Sequence, residues 1–143
     1  MIILAQAHHA ADLAEIEAQQ PNAAGWKRQG FEGELAQSCS QIYCACSNHK
    51  IIGFLALRSA GGFAEILNVA VEINFTRQGV GFSLLSYALD RLKEQAVNQV
   101  TLEVAQDNKP AVSLYKKAGL QILGQRKDFY GAGKNAFIMG LNL

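Results

Sequence analysis

The chain has 143 residues, half of them hydrophobic, and carries 13 basic against 12 acidic side chains for a net charge of +1. That length predicts a single domain over residues 1–143 with one proper core, and the balanced charge excludes a nucleic-acid or anionic-membrane surface built on bulk charge. The longest apolar run, "IIGFLAL", falls far short of the roughly 20 residues that span a bilayer.

The start, "MIILAQAHHAAD", has no basic segment ahead of its brief apolar stretch and no convincing cleavage site. A signal peptide is therefore not expected, and a cytoplasmic protein is. "AADLAEIEAQQ" predicts a first helix with Leu13 and Ile16 inward, closed by "PN". "GWKRQGFEGELAQS" predicts a second, weaker and mobile helix, because Gly30 and Gly33 each cost about 1 kcal/mol relative to alanine. Cys39, Cys44 and Cys46 are an odd, sparse set rather than a disulfide framework. His8, His9 and His49 add no zinc-like spacing, so no metal is expected and the cysteines read as buried small thiols.

The period then changes. "QIYCACS", a polar "NHK" and "IIGFLALRS" predict a hairpin, "SAGG" a turn, and "FAEILNVAVEI" a third strand whose continuous "ILNVAV" implies burial on both faces. After "TRQGVG" comes a helix in which Phe82, Leu85, Leu89, Leu92 and Ala96 recur with helical spacing. "QVTLEVA" is a strand with Val100, Leu102 and Val104 on one face and Thr101, Glu103 and Ala105 on the other. "DNKPAVSLYKKAG" is a helix with Asn108 as N-cap, Pro110 in the first turn and Gly119 as its stop. A second hairpin closes the chain, with "LQILGQRKDFY" as a strand running to Tyr130, "GAGK" as the turn and "NAFIMGLNL" as the return strand.

Gly79 and Gly81 stand where a strand hands over to a helix. Lacking a Cβ, they free the backbone and let a ligand approach the N–H groups at the helix start, which suits an anion. Two familiar cradles fail the test: no lysine followed by Ser or Thr comes after these glycines, and Leu84 stands where a dinucleotide fingerprint needs its third glycine.

A different pattern fits. "TRQGVGFSLL", "TLEVAQDN" and "AVSLYKKAGL", in that order, resemble the acetyl-coenzyme A binding core of the GNAT N-acetyltransferases, whose loop reads Q/R-x-x-G-x-G/A. Thr76 departs from the first loop position while both glycines are kept. Within that superfamily, "LNVAV", "RQGVG", "LEV" with Asn108 five positions after Glu103, "LYKKAGL" and the pair "FY" resemble the RimI-type ribosomal protein-alanine N-acetyltransferases. The segment "QQPNAAGWKRQGFEGEL" matches that family's Pro-Trp region only loosely. The resemblance implies an α/β GNAT fold, with a mixed, mostly antiparallel sheet flanked by helices and central strands splayed to form the acetyl-coenzyme A cleft. It also implies acetyl-coenzyme A as co-substrate without a metal, and a protein N-terminal α-amine as acceptor, a ribosomal protein among the candidates, with neither nucleic acid nor membrane as a partner.

Carried over residue by residue, the resemblance has main-chain groups of Val69, Ala70 and Val71 meet the pantetheine arm and the developing oxyanion. The N–H groups of Arg77, Gln78, Gly79, Val80, Gly81 and Phe82 hold the pyrophosphate, the Arg77 side chain adds charge unless it is simply a solvated arginine, and Asn108 touches the cofactor besides capping its helix. Acetyl transfer needs a neutral amine and a proton for the departing thiolate. Glu103, the one charged residue midway through an apolar strand, is the candidate base, acting through a water and raised by burial; the pattern without the motif favours a solvent-facing strand glutamate. Tyr115 is the candidate acid, its reference pKa of about 10 lying above a thiol's value near 8.5, although it shares a helical face with Ala111, Leu114 and Ala118 and could be a core tyrosine. Trp26 and Tyr130 are candidates to line the acceptor pocket by analogy with the family, Trp26 otherwise being a core aromatic.

An α-amine titrates at about 7.7–8.0 and a lysine near 10.4, so deprotonating a lysine costs roughly 3.4 kcal/mol more. A single glutamate therefore suits an N-terminal amine better. The alternatives are a GNAT enzyme for a polyamine, an aminoglycoside or a lysine side chain, and a non-catalytic acyl-coenzyme A binding module.

Overall fold

The computed structural model describes residues 1–21 and 23–143; Asn22, in the "PN" expected to close the first helix, lies outside the described residues. The elements run β1 (Ile2–Leu4), α1 (Ala10–Ala18), α2 (Lys27–Leu35), β2 (Ser40–Ser47), β3 (Lys50–Ala60), β4 (Phe63–Val71), α3 (Val80–Glu94), β5 (Gln99–Ala105), α4 (Lys109–Lys117), β6 (Gln121–Arg126) and β7 (Ala136–Asn142). Single 3-10 turns at Ala7–His9 and Ile73–Phe75 lead into α1 and follow β4. The strands form one sheet in the order β1-β2-β3-β4-β5-β7-β6. Every neighbouring pair is antiparallel except β4 with β5. This is the mixed, mostly antiparallel sheet that the family resemblance implied, with β1 as an unforeseen edge strand.

Each face of the sheet has its own core. On one side Leu84, Leu85, Ala88, Leu89 and Leu92 of α3 lie over β2, β3 and β4 and share one core with Val100, Leu102 and Val104 of β5 and with Val112 and Tyr115 of α4. On the other, Leu13 and Ile16 of α1 and Phe31 of α2 pack on Ile42, Cys44, Phe54 and Ala70. Phe31 is fully buried and meets Phe54 edge-on with ring centroids 5.2 Å apart. That anchor offsets what the two glycines of α2 cost in helix propensity. Between β2 and β3, Asn48 and His49 both take left-handed backbone, with φ of 50° and 65°, as a two-residue hairpin turn demands.

Three expectations are corrected. The stripe of α3 is carried by Leu84 and Ala88 together with Leu85, Leu89 and Leu92, whereas Phe82 is half-buried and Ala96 exposed. The helix ends at Glu94, and Ala96 lies beyond it in a left-handed turn with φ of 60°. Of the three thiols only Cys44 is buried, and burial pushes it up to about 12, while Cys39 is exposed.

The third correction shapes the site. The run "ILNVAV" is not buried on both faces: Leu67, Asn68, Val69 and Val71 are half-buried, because β4 pairs with β5 only from Phe63 with Gln99 to Ile66 with Leu102. Across β3, Ala56 pairs with Asn68 and Leu57 with Ile66, which leaves Leu67 as the extra residue of a β-bulge. A bulge shifts the alternation of side chains by one. Accordingly Ala64 and Ile66 face the α3 core, while Ala70 faces the α1 and α2 core.

Candidate active site

Beyond Ile66 and Leu102 the two central strands part and leave a cleft of about 580 Å³. Its walls are β4 from Glu65 to Val69, β5 from Leu102 to Ala105, and Asn108 and Tyr115 at α4. Phe129, Tyr130 and Lys134 from the β6–β7 loop and Ala23 and Ala24 from the α1–α2 loop close its rim.

Glu103 and Tyr115 both line this cleft. Since Val100, Leu102 and Val104 face α3, Glu103 points to the other side of the sheet. The burial expected of it is partial: its side chain is 27% exposed, and Nη1 of Arg126 lies 3.0 Å from Oε1. Tyr115 is buried, at 8% exposure, and its hydroxyl is pushed up to about 12, first by burial and then by the neighbouring Tyr130. The Tyr130 hydroxyl is raised in turn, by burial and by the Glu103 carboxylate. Tyr130 does not end a strand, because β6 stops at Arg126. It sits in the loop, its N–H donating to the Lys134 carbonyl at 3.0 Å and its ring edge-on to Phe129.

The glycine loop presents a row of donors. Arg77 and Gly79 both take left-handed backbone, with φ of 62° and 82°, an arrangement that curls successive N–H groups toward one concave side. The first helical bond runs from the N–H of Ser83 to the Gly79 carbonyl at 2.9 Å. Among the described residues, the backbone N–H groups of residues 77–82 have no protein acceptor. Free donors at the positive end of α3 fit a diphosphate. Thr76 has its own task, its hydroxyl donating to the Ile73 carbonyl at 3.0 Å.

The two glycines differ in purpose. Gly79 needs left-handed backbone in open space, whereas a Cβ on Gly81 would sit 3.2 Å from Cδ2 of Leu114 and 3.8 Å from Cγ2 of Val71. Gly81 therefore lets the start of α3 approach α4 and β4. On β4, the carbonyl of Val71 already accepts from Nε2 of Gln20 at 3.0 Å. Asn108 caps α4, its side chain accepting from the N–H of Ala111 at 3.3 Å, and it also lines the cleft.

Trp26 is not on the cleft wall. It flanks α2 and packs on Phe31 with centroids 5.1 Å apart, as a core aromatic does. Ala23 and Ala24 take the place at the rim. Sequence reasoning missed two polar residues, one at the splay and one buried behind it on α1. Asn68 of β4 donates from Nδ2 to Oε2 of Glu17 at 2.7 Å, and Glu17 is a buried carboxylate on α1. The signal was present: a lone asparagine in an apolar run, and a glutamate one turn after Leu13 on an inward stripe, both need partners.

Residues 7–120 match the Acetyltransferase (GNAT) family. The chain belongs to that family. The [ribosomal protein bS18]-alanine N-acetyltransferase of Escherichia coli K12 is 27% identical over 126 residues, covering 86% of this chain and 84% of that protein. An N-alpha-acetyltransferase of Sulfolobus acidocaldarius is 30% identical over 126 residues, covering 79% of this chain and 75% of its own. The crystal structure of the E. coli ribosomal-protein-S18-alanine N-acetyltransferase superposes with a TM-score of 0.91 at 25% identity, over 99% of this chain and 92% of that one. The resemblance to RimI-type enzymes thus holds across fold and sequence, and this GNAT protein is an N-acetyltransferase.

Proposed function

We propose that this acetyltransferase moves an acetyl group from acetyl-coenzyme A to the α-amine of a protein N-terminus, with a ribosomal protein of the bS18 kind as the first acceptor to try. The observation that carries the reading is the convergence of Glu103, Tyr115 and Tyr130 on one cleft at the point where β4 and β5 part. The rim supports a polymer acceptor: Phe129 and Tyr130 stand half exposed beside an open mouth, which suits an extended peptide end better than an enclosed small amine.

The N–H groups of residues 77–82 would hold the pyrophosphate, main-chain groups of Val69 and Ala70 the pantetheine arm, and Asn108 a further contact. Acetyl-coenzyme A supplies an activated acetyl thioester. Glu103, steadied by Arg126, takes a proton from the incoming amine, directly or through a water. Tyr115, kept neutral by burial, gives its proton to the departing thiolate. Tyr130 and Phe129 form the wall over the acceptor.

The test is to incubate the purified protein with acetyl-coenzyme A and peptides bearing varied free N-termini and internal lysines, then to locate the acetyl groups by mass spectrometry. Acetylation of N-terminal amines, strongest on alanine or serine starts, is expected. Acetyl found only on lysines, or none at all while coenzyme A binds, would overturn the reading.

A further inference from the structure

Glu17 is 2% exposed on the face of α1 that also buries Leu13 and Ile16, and among the described residues no cation lies within ion-pair distance of it. Its Oε2 accepts from Nδ2 of Asn68 at 2.7 Å and its Oε1 from the N–H of Lys27 at 3.3 Å. Both carboxyl oxygens of Glu17 thus act as acceptors, and the Asn68 amide lies with Nδ2 toward Glu17 and Oδ1 turned away. Oδ1 has no hydrogen bond among the described residues, and the only side-chain N or O there that is both sealed from solvent and unbonded is Nε of Arg91. Oδ1 is therefore open, and Asn68 lies on the cleft wall.

The bulge at Leu67 explains why Asn68 points this way. Without it, Asn68 would follow Ala64 and Ile66 onto the α3 side; with it, Asn68 joins Ala70 on the side that Glu103 occupies across the splay. An unpaired bulge residue and a buried acid both carry a cost, and together they fix the Asn68 amide on the cleft wall with Nδ2 turned to Glu17.

We infer that Oδ1 of Asn68 is the hydrogen-bond acceptor for the incoming amine, with Glu17 as the positioning residue that prevents the amide from flipping. A primary ammonium has three N–H bonds. Glu103 takes one proton, Asn68 holds a second N–H, and the freed lone pair points at the acetyl carbonyl. The inference rests on the acetyl-transfer reading but not on which amine is the acceptor.

Steady-state kinetics with acetyl-coenzyme A and an alanine-initiated peptide tests it. Asn68→Ala should lower kcat/KM for the peptide about ten- to hundredfold, the loss of one buried hydrogen bond, with the KM for acetyl-coenzyme A unchanged. Because that variant takes from Glu17 its shorter hydrogen bond, a double variant, Glu17→Leu with Asn68→Leu, removes both side chains of the pair, leaves only the longer Lys27 N–H contact without its acceptor, and should show the same selective loss in a folded protein. Glu17→Gln lets the Asn68 amide turn either way, and should lower peptide kcat/KM about three- to tenfold at unchanged Tm. Wild-type peptide kinetics in the folded double variant, or equal losses toward peptide and acetyl-coenzyme A, would overturn the role of Asn68; a fully active Glu17→Gln would overturn that of Glu17. Should the wild type acetylate a lysine or a small amine instead, the N-terminal reading falls while the same comparison on that amine decides the inference. A wild type that acetylates no amine removes both.

Discussion

A phenol keeps its proton more firmly the drier its surroundings, and Tyr115 is held up to about 12 by burial and by Tyr130 beside it. A raised folded pKa contributes stability that is present below the unfolded value of about 10 and is lost as pH rises through about 12. Tyr115 therefore stays a donor through the physiological range and sets no alkaline limb below about pH 10. Tyr115→Phe should lower kcat about a hundredfold while the KM for acetyl-coenzyme A stays within about twofold; steady-state rates equal to wild type would remove it from the mechanism. That Glu103 and Tyr115 would line one cleft was legible because each sits inside a short motif on a regular element. The Glu17–Asn68 pair was not, since its members are 51 positions apart and meet only when α1 crosses β4. Trp26 could not be placed from sequence, because a position near Ala23 and Ala24 says nothing of which way a ring turns, and Phe31 offered it a dry surface.

At the level of elements, α2 shows how a poor helix is kept. Besides Phe31, its Glu34 receives both Nε and Nη2 of Arg58 from β3, each at 2.7 Å. The Arg58 guanidinium, aided by Ser40 and opposed by burial, holds the Glu34 carboxyl below its usual range. A lowered folded pKa contributes stability above the unfolded value of about 4.3 and loses it as pH falls through the folded value. The Tm of the wild type should thus drop more steeply between about pH 5 and 3 than that of Glu34→Gln; parallel curves would show that the pair contributes nothing. Arg58 is half exposed, so the difference should shrink in high salt. The order of helices and strands was legible because apolar spacing reports it directly. A three-residue β1 is too short to show a period, and the bulge at Leu67 is invisible because an apolar run reads the same with or without an extra residue.

On the scale of the whole molecule, the sheet is two halves joined by a short seam. Strands β1 to β4 form one half and β5, β7 and β6 the other, and the seam is the parallel pairing of Phe63–Ile66 with Gln99–Leu102. Beyond it the halves share one apolar core, in which the buried stripe of α3, lying over β2, β3 and β4, clusters with Val100, Leu102 and Val104 of β5. A ligand lying in the splay and anchored on the N–H groups of residues 77–82 would touch both halves and add contacts absent from the unfolded chain. By linkage, acetyl-coenzyme A at a hundred times its Kd should stabilise the fold by about 2.7 kcal/mol, which for a domain of this size raises Tm by roughly 8 °C. Hydrogen exchange should locate the gain in the amides of residues 67–71 and 77–82, with α1 and α2 little changed. A Tm that saturating acetyl-coenzyme A leaves unmoved, or protection confined to the far side of the sheet, would show that the ligand does not occupy the gap between β4 and β5.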